Sequence, residues 1–443
     1  MSVIRKRSNR IFLPIVWLAL FSTSCSQADM DVVKWQEDIG FYSRELSVSH
    51  IDAFHTLSQA SFFTEAEKIS ESVPEKTTSQ ILVDLMRLTH KINDGHTSFP
   101  LWGWANAHYP LGLKLYKDDV YVVSTTTQLK DLLGSRLLFI NGVAAADVTR
   151  LVSELTPFTE NDFSRAVRTA QYLPYASVLN GLGIVQDINA AEFVFDVDGK
   201  AVRHVLEAQQ MPQLDVQISH LNDTLFSAIK KVNGDLWFGA SADKKTVYIK
   251  FRRYTSSVRM EALAKNALSF INRNQSANLI IDLRDNVGGD FFVGLKLAQF
   301  LVLADSIDWK SGVYVLIDHV TFSAAMSNGA QFAQILNAQL IGTPTGAKPS
   351  GYQDMGQFVL PNSGLEVTYS KRMYHFTEDR RDALYPMVNI DVSIDDVING
   401  YDSQLRWVLN HIGDTTNSKP TRHLMNGSES AGVDQRIENK DQR

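Results

Sequence analysis

Two stretches of the sequence have residue types and spacing that could do covalent chemistry. In "DHVTFSAAMSNGAQ", Asp318 to Gln331, an apolar run (Val313 to Ile317) stops, a few polar residues turn the chain, and Ser323 opens a helical pattern. A serine there is either a helix cap or a hydroxyl nucleophile shown at a strand-to-helix corner, where the helix dipole favours an alkoxide. In "IIDLRDNVGGD", Ile280 to Asp290, a buried strand runs into a polar loop carrying Gly288 and Gly289. Paired glycines after a strand allow positive φ, so main-chain N–H groups can point into a cleft. The loop lacks the GxxxxGK[ST] and GxGxxG spacings of nucleotide sites, which leaves an oxyanion hole as its chemical use. Around these, Asp282 and Arg284 read as a structural charge pair, Asn286 as a loop anchor, Asp290 as the start of the next helix and His319 as a turn residue.

These groups need elements to hold them. From Asp31 to about Lys91 apolar residues recur at three- and four-residue spacing, a helical pattern that Asp94-Gly95 breaks. Between about Pro110 and Glu207 the signals mix. "DVYVVST" reads as a strand, and "EFVFDVDGKAVRHVLE" as a hairpin turning at Asp198-Gly199. From about Asn222 short Val/Ile/Leu runs ("KTVYIKF", "NLIIDL", "VYVLI", "AQLIGTP") alternate with amphipathic helices. That alternation predicts an α/β layer architecture, closed by the helical "YDSQLRWVLNHI".

The stretches "DLRDNVGG", "TFSAAM" and "GTPTGAKPSGYQD", in that order, resemble the tail-specific, or carboxy-terminal-processing, serine peptidase family. "KINDGHTSF" upstream resembles its tricorn-core and interphotoreceptor retinoid-binding protein-like branch, and "YPLGLKLY … GSRLLFINGVAAADV" resembles a PDZ-type module. The resemblance implies a ClpP/crotonase-like α/β catalytic domain, an N-terminal helical region and a PDZ-like α+β module. It implies Ser323 as nucleophile, with Gly288 or Gly289 and the amide of Ala324 as oxyanion donors. It offers two bases: His96, matching the tricorn-like branch, and Lys348, at the Ser-Lys spacing. A histidine titrates near neutrality, whereas a lysine must be desolvated, so His96 is the preferred base. The branch also implies a late acidic partner, read as Glu378, with Asp379 and Asp382 as competitors. Met326 departs from the family by standing where a glutamate is common.

Domain boundaries follow: 1–28 a leader, 29–100 the helical region, 101–215 the PDZ-like module, 216–412 the catalytic domain and 413–443 a disordered tail. The implied function is a serine-type peptidase acting on polypeptides. The alternative is a ligand- or peptide-binding protein on the same scaffold without turnover.

Composition sets the outer limits. At 443 residues with 44% hydrophobic and 21% charged content, a sizeable core is feasible, and a net charge of −6 provides no footprint for nucleic acid. No HExxH motif is present and the histidines lack ligand spacing, so neither metal nor cofactor is expected. Arg5, Lys6, Arg7 and Arg10 precede the apolar "IFLPIVWLALF", too short for a permanent span and typical of an export signal. Cleavage after Ala28 and lipidation of Cys25, the single cysteine of the chain, are competing readings. Either sends the protein to the periplasm or cell envelope, and membrane contact comes only through a lipid on Cys25.

Overall fold

The computed structural model describes residues 30–417 apart from 103, 105, 106 and 379. The leader, Cys25, Asp379 and the chain beyond 417 lie outside the described residues. Among these, no helix is long and apolar enough to cross a membrane.

The helical pattern at the start resolves into α1 (Val32–Ser49), α2 (Gln59–Ser72) and α3 (Thr78–His90), with side-chain caps from Asp31, Ser58 and Thr77. A seven-stranded antiparallel sheet follows, its main path running β1 (Leu111–Tyr116), β2 (Asp119–Thr125), β3 (Arg136–Ile140), β4 (Ala190–Val197) and β5 (Lys200–Glu207), with the short strands Val143–Ala144 and Val216–Gln217 paired to β3 and β2. The β4–β5 turn at Asp198-Gly199 has φ of 52° and 77°, the positive pair a two-residue hairpin demands. Helices α4 (Ala145–Ser153), α5 (Asp162–Tyr172) and α6 (Ala176–Gly181) lie between β3 and β4.

The division expected at residue 100 does not divide the core. Trp35, Tyr42 and Leu85 from the helices share one buried cluster with Val122, Phe193 and Phe195 from the sheet. A helix stripe and a sheet face must each bury against another element, and here they bury against each other.

The second sheet runs β6 (Ser227–Lys231), β7 (Leu236–Ala240), β8 (Thr246–Phe251), β9 (Asn278–Asp282), β10 (Val313–Ile317), β11 (Gln339–Gly342) and, at its edge, Val388–Asn389. From β8 onward all pairs are parallel. Strand alternation sorts its side chains to two faces. Leu279, Ile281, Val313 and Val315 pack with α7 (Ser257–Asn274), α8 (Phe291–Leu301) and α9 (Ala324–Ile335). Ile280, Tyr314 and Leu316 face Leu405 and Val408 of the closing helix, Ser403–Asn417. This is the expected α/β layering. The closing helix runs past residue 413, where the tail was expected to begin.

One element had no sequence signal strong enough to find it. Ser350–Val359 and Glu366–His375 form a long antiparallel hairpin, β12 and β13, separate from both sheets. Its first strand is mostly half-buried or exposed, and the buried positions of the hairpin are largely polar (Gln353, Thr368 and Ser370), so it carries little apolar patterning. Ser98 pairs with Thr368 in it, which brings the His96 segment alongside.

Candidate active site

Ser323 lies at the corner between β10 and α9 with φ 48° and ψ −126°, a left-handed conformation for a residue with a Cβ. Holding it there costs on the order of 1–3 kcal/mol. Its side chain makes no capping hydrogen bond. The capping role that the residue type would suggest is therefore unused, and Oγ instead lies 2.9 Å from His96 Nε2.

The glycine loop abuts the same corner. Gly288 has φ +106°, and a Cβ there would come within 2.8 Å of Ser323 Cβ and 3.0 Å of the Ala324 nitrogen. Only a residue without a side chain permits that approach. Asn286 holds the loop: its Nδ2 donates to Phe251 O (2.7 Å), its Oδ1 accepts from Gly288 N–H (2.9 Å), and its carbonyl accepts from Phe322 N–H (3.0 Å). Gly288 N–H is thus engaged, whereas those of Gly289 and Ala324, which line the same cavity as Ser323, make no hydrogen bond among the described residues. Below the loop, Arg284 is buried between Asp282 (2.8 Å) and Asp402 (2.7 Å) as a structural ion network, and Asp290 caps α8 through Phe292 N–H.

His96 is held through Asp94. Asp94 Oδ1 accepts from the N–H groups of His96 (2.8 Å) and Thr97 (3.0 Å) and from Ser370 Oγ (2.6 Å). Its Oδ2 meets Thr97 Oγ1 and His50 Nε2, each at 2.6 Å. Burial alone would raise this carboxyl, but the hydrogen bonds from His50, Ser370 and Thr97 outweigh it and keep Asp94 below its ordinary range. Gly95 lets the turn press close: a Cβ there would clash with Glu160 at 2.4 Å and Phe322 at 2.6 Å.

The acidic residue beside His96 is Glu160, which sequence reasoning missed. Its Oε1 is 3.5 Å from His96 Nδ1, and both atoms are buried without another hydrogen-bond partner. Its Oε2 accepts from Lys348 N–H at 2.7 Å. Glu160 sits just before α5, whose cap Asn161 also donates to the carbonyls of Thr345 (3.0 Å) and Asp382 (2.7 Å). That stitching carries the carboxylate into the cleft. "TENDFS" reads locally as a helix start and nothing more, so only the capping pattern was available as a signal.

Glu378 does not take the expected place. It is exposed in the turn after β13, while Glu160 occupies the space next to the ring. Lys348 is half-buried and meets the site through its main-chain N–H; among the described residues no hydrogen bond joins its ammonium to Ser323. His319 stacks on Phe163 at 4.8 Å, and burial lowers it to about 4. Met326 is fully buried among apolar neighbours, where a glutamate would be an unpaired buried charge.

Ser323 and His96 open onto a cavity of about 990 Å³. One wall comes from Leu111 and Leu113 of β1, another from Phe291 and Phe292 at the start of α8 and from Met355 and Tyr374 of the hairpin. With a hydroxyl, a ring nitrogen, a buried carboxylate and free N–H groups converging there, the arrangement can support acyl transfer.

No protein-family model matches the chain, and no curated protein does. Its fold is shared with solved structures. Mature CPAF in complex with lactacystin aligns with a TM-score of 0.60 over 87% of this chain and 98% of that one, at 12% identity. Mature CPAF alone aligns at 0.59, again with 12% identity, over 87% and 99% of the two chains. The photosystem II D1 C-terminal processing protease aligns at 0.39 with 14% identity, over 83% of this chain and 97% of that one. At this identity the likeness to mature CPAF is one of fold.

Proposed function

We propose that this chain is a serine-type peptidase acting on polypeptides through an acyl-enzyme at Ser323. The observation that carries the reading is the 2.9 Å contact between Ser323 Oγ, in a strained backbone conformation, and His96 Nε2. With Glu160 accepting from Nδ1–H, the ring keeps the tautomer whose Nε2 can accept the serine proton. Oγ attacks the scissile carbonyl as His96 takes its proton, and the N–H groups of Gly289 and Ala324 stabilise the oxyanion. His96 then returns the proton to the leaving amine as the C–N bond breaks. Water completes the cycle by the same base, cleaving the ester and restoring Ser323. An oxyanion donor contributes about a hundredfold or more in rate and the base a similar factor.

The antiparallel sheet with α5 against β1 is read as the PDZ-like module, and the parallel sheet with its helices as the ClpP/crotonase-like domain. The leader supports export to the periplasm or cell envelope, with Cys25 as the lipid attachment in the anchored form. A fluorophosphonate probe tests the chemistry. The wild-type protein should be labelled and Ser323→Ala should not. A well-folded wild type that stays unlabelled favours the alternative, a binding protein on the same scaffold.

A further inference from the structure

The cavity beside Ser323 holds a cation with no counter-ion among the described residues. Arg168 projects from α5, and its Cζ lies 5.6 Å from the ring centroid of Phe158 and 5.4 Å from that of Phe322. Two rings covering the guanidinium hold it in one orientation and leave its edge, where the N–H donors lie, for hydrogen bonding. The partner on that edge is neutral: Nη1 donates to Gln171 Oε1 at 2.9 Å. Among the described residues, no carboxylate pairs with it.

The nearby acids are already occupied. Asp162, on the same helix, pairs with Arg165 at 2.9 Å, and Glu160 serves His96 and Lys348 N–H. Of the acids lining the cavity, Asp290 caps α8, and Asp354 pairs with Arg372 and with Lys371 at 3.3 Å. Arg168 is half-buried, and burial lowers its pKa. A planar cation in that position gains most from a planar anion that binds two of its N–H groups at once.

We infer that Arg168 binds a carboxylate of the polypeptide substrate and so sets the specificity of the proposed peptidase. This rests on the reading of the cavity as a peptide cleft. Phe322 links the two sites: it precedes Ser323, its ring is 5.5 Å from that of His96, and its face meets Arg168. The bound carboxylate therefore lies within about three residues of the scissile bond, at roughly 3.3 Å per extended residue. It belongs either to an acidic side chain or to the carboxyl terminus of the substrate.

Binding can be read without turnover on the full-length Ser323→Ala chain, by fluorescence anisotropy with labelled synthetic decapeptides of varied sequence in matched pairs. One pair type differs by Glu against Gln at a single position, the other by a free against an amidated carboxyl terminus. In at least one type the acid form should bind about ten- to a hundredfold tighter, the range of a hydrogen bond to a charged group. The pair type that discriminates identifies the source. Adding Arg168→Gln should abolish the difference, and Arg168→Lys should retain part of it. Equal binding of all pairs to the parent overturns the inference. So does a difference that persists in Arg168→Gln with an unchanged melting temperature, or one lost equally in Arg168→Lys and Arg168→Gln. Absence of fluorophosphonate labelling would instead overturn the hydrolase reading and leave this binding preference measurable.

Discussion

His96 Nδ1 and Glu160 Oε1 face each other at 3.5 Å, both buried and both without any other hydrogen-bond partner. Two orphaned polar atoms buried side by side are each other's natural partner, since leaving either unmade costs about 1–3 kcal/mol. The distance is long for a hydrogen bond, and such contacts often tighten only when substrate binds.

The roles of the two glutamates separate cleanly. Glu160→Gln should lower kcat by about a hundredfold or more, because the amide no longer fixes the ring tautomer or stabilises the imidazolium. Glu378→Gln should leave kcat near wild type. Peptide hydrolysis by the two purified variants decides it, and equal losses would remove Glu160 from the site.

The two bases can be told apart in the same way. His96→Ala should abolish fluorophosphonate labelling of Ser323. Lys348→Ala should stay within a few-fold of wild type, because the contact it makes to Glu160 is through the main chain. Loss of labelling in Lys348→Ala alone would reverse the assignment.

Gly288→Ala tests the close approach of the glycine loop. Its Cβ would sit 2.8 Å from Ser323 Cβ on a backbone with φ +106°. Strain of this kind costs on the order of 1–3 kcal/mol, and relief would displace the nucleophile or the loop. The expected result is a lowered melting temperature together with loss of labelling.

Asp94→Ala should be destabilising by about 3–5 kcal/mol, measured from urea midpoints. It strips acceptors from His50, Ser370 and the turn that carries His96, leaving several buried donors unpaired. A change near zero would mean that the Asp94 network holds nothing in place.

Stability should fall with acidity in two windows. His220 is buried and lowered to about 4, first by burial and then by Arg284 and Lys114. Its unfolded form takes up a proton at about 6.5, so stability is full above that pH and is lost between about 6.5 and 4, by up to about 3 kcal/mol. Asp282 is the opposite kind of group. Burial would raise it, but Arg284 outweighs that and lowers it to about 2, so its contribution is lost only as pH falls from about 4 towards 2. Urea titrations at stepped pH should show the upper window shrink in His220→Gln, with buried His319 still contributing to it, while the lower one remains.

Sequence alone determined the parts whose physics is local. Short Val, Ile and Leu runs fixed the parallel strands, Asp198-Gly199 the hairpin, Gly288-Gly289 the turn after a strand and Ser323 the start of a helical segment. Each depends on residues within a few positions of one another, where spacing carries the signal. Tertiary structure alone decided which acid lies beside His96 and which candidate base lies within hydrogen-bond distance of Ser323. His96 and Ser323 are 227 residues apart, and Glu160 and Lys348 are 188 apart. Glu160 resembles any carboxylate before a helix, and Glu378 stands at a plausible chain distance. The choice between them came from Asn161 tying α5 to the carbonyls of Thr345 and Asp382, a contact made by packing and invisible in any local pattern.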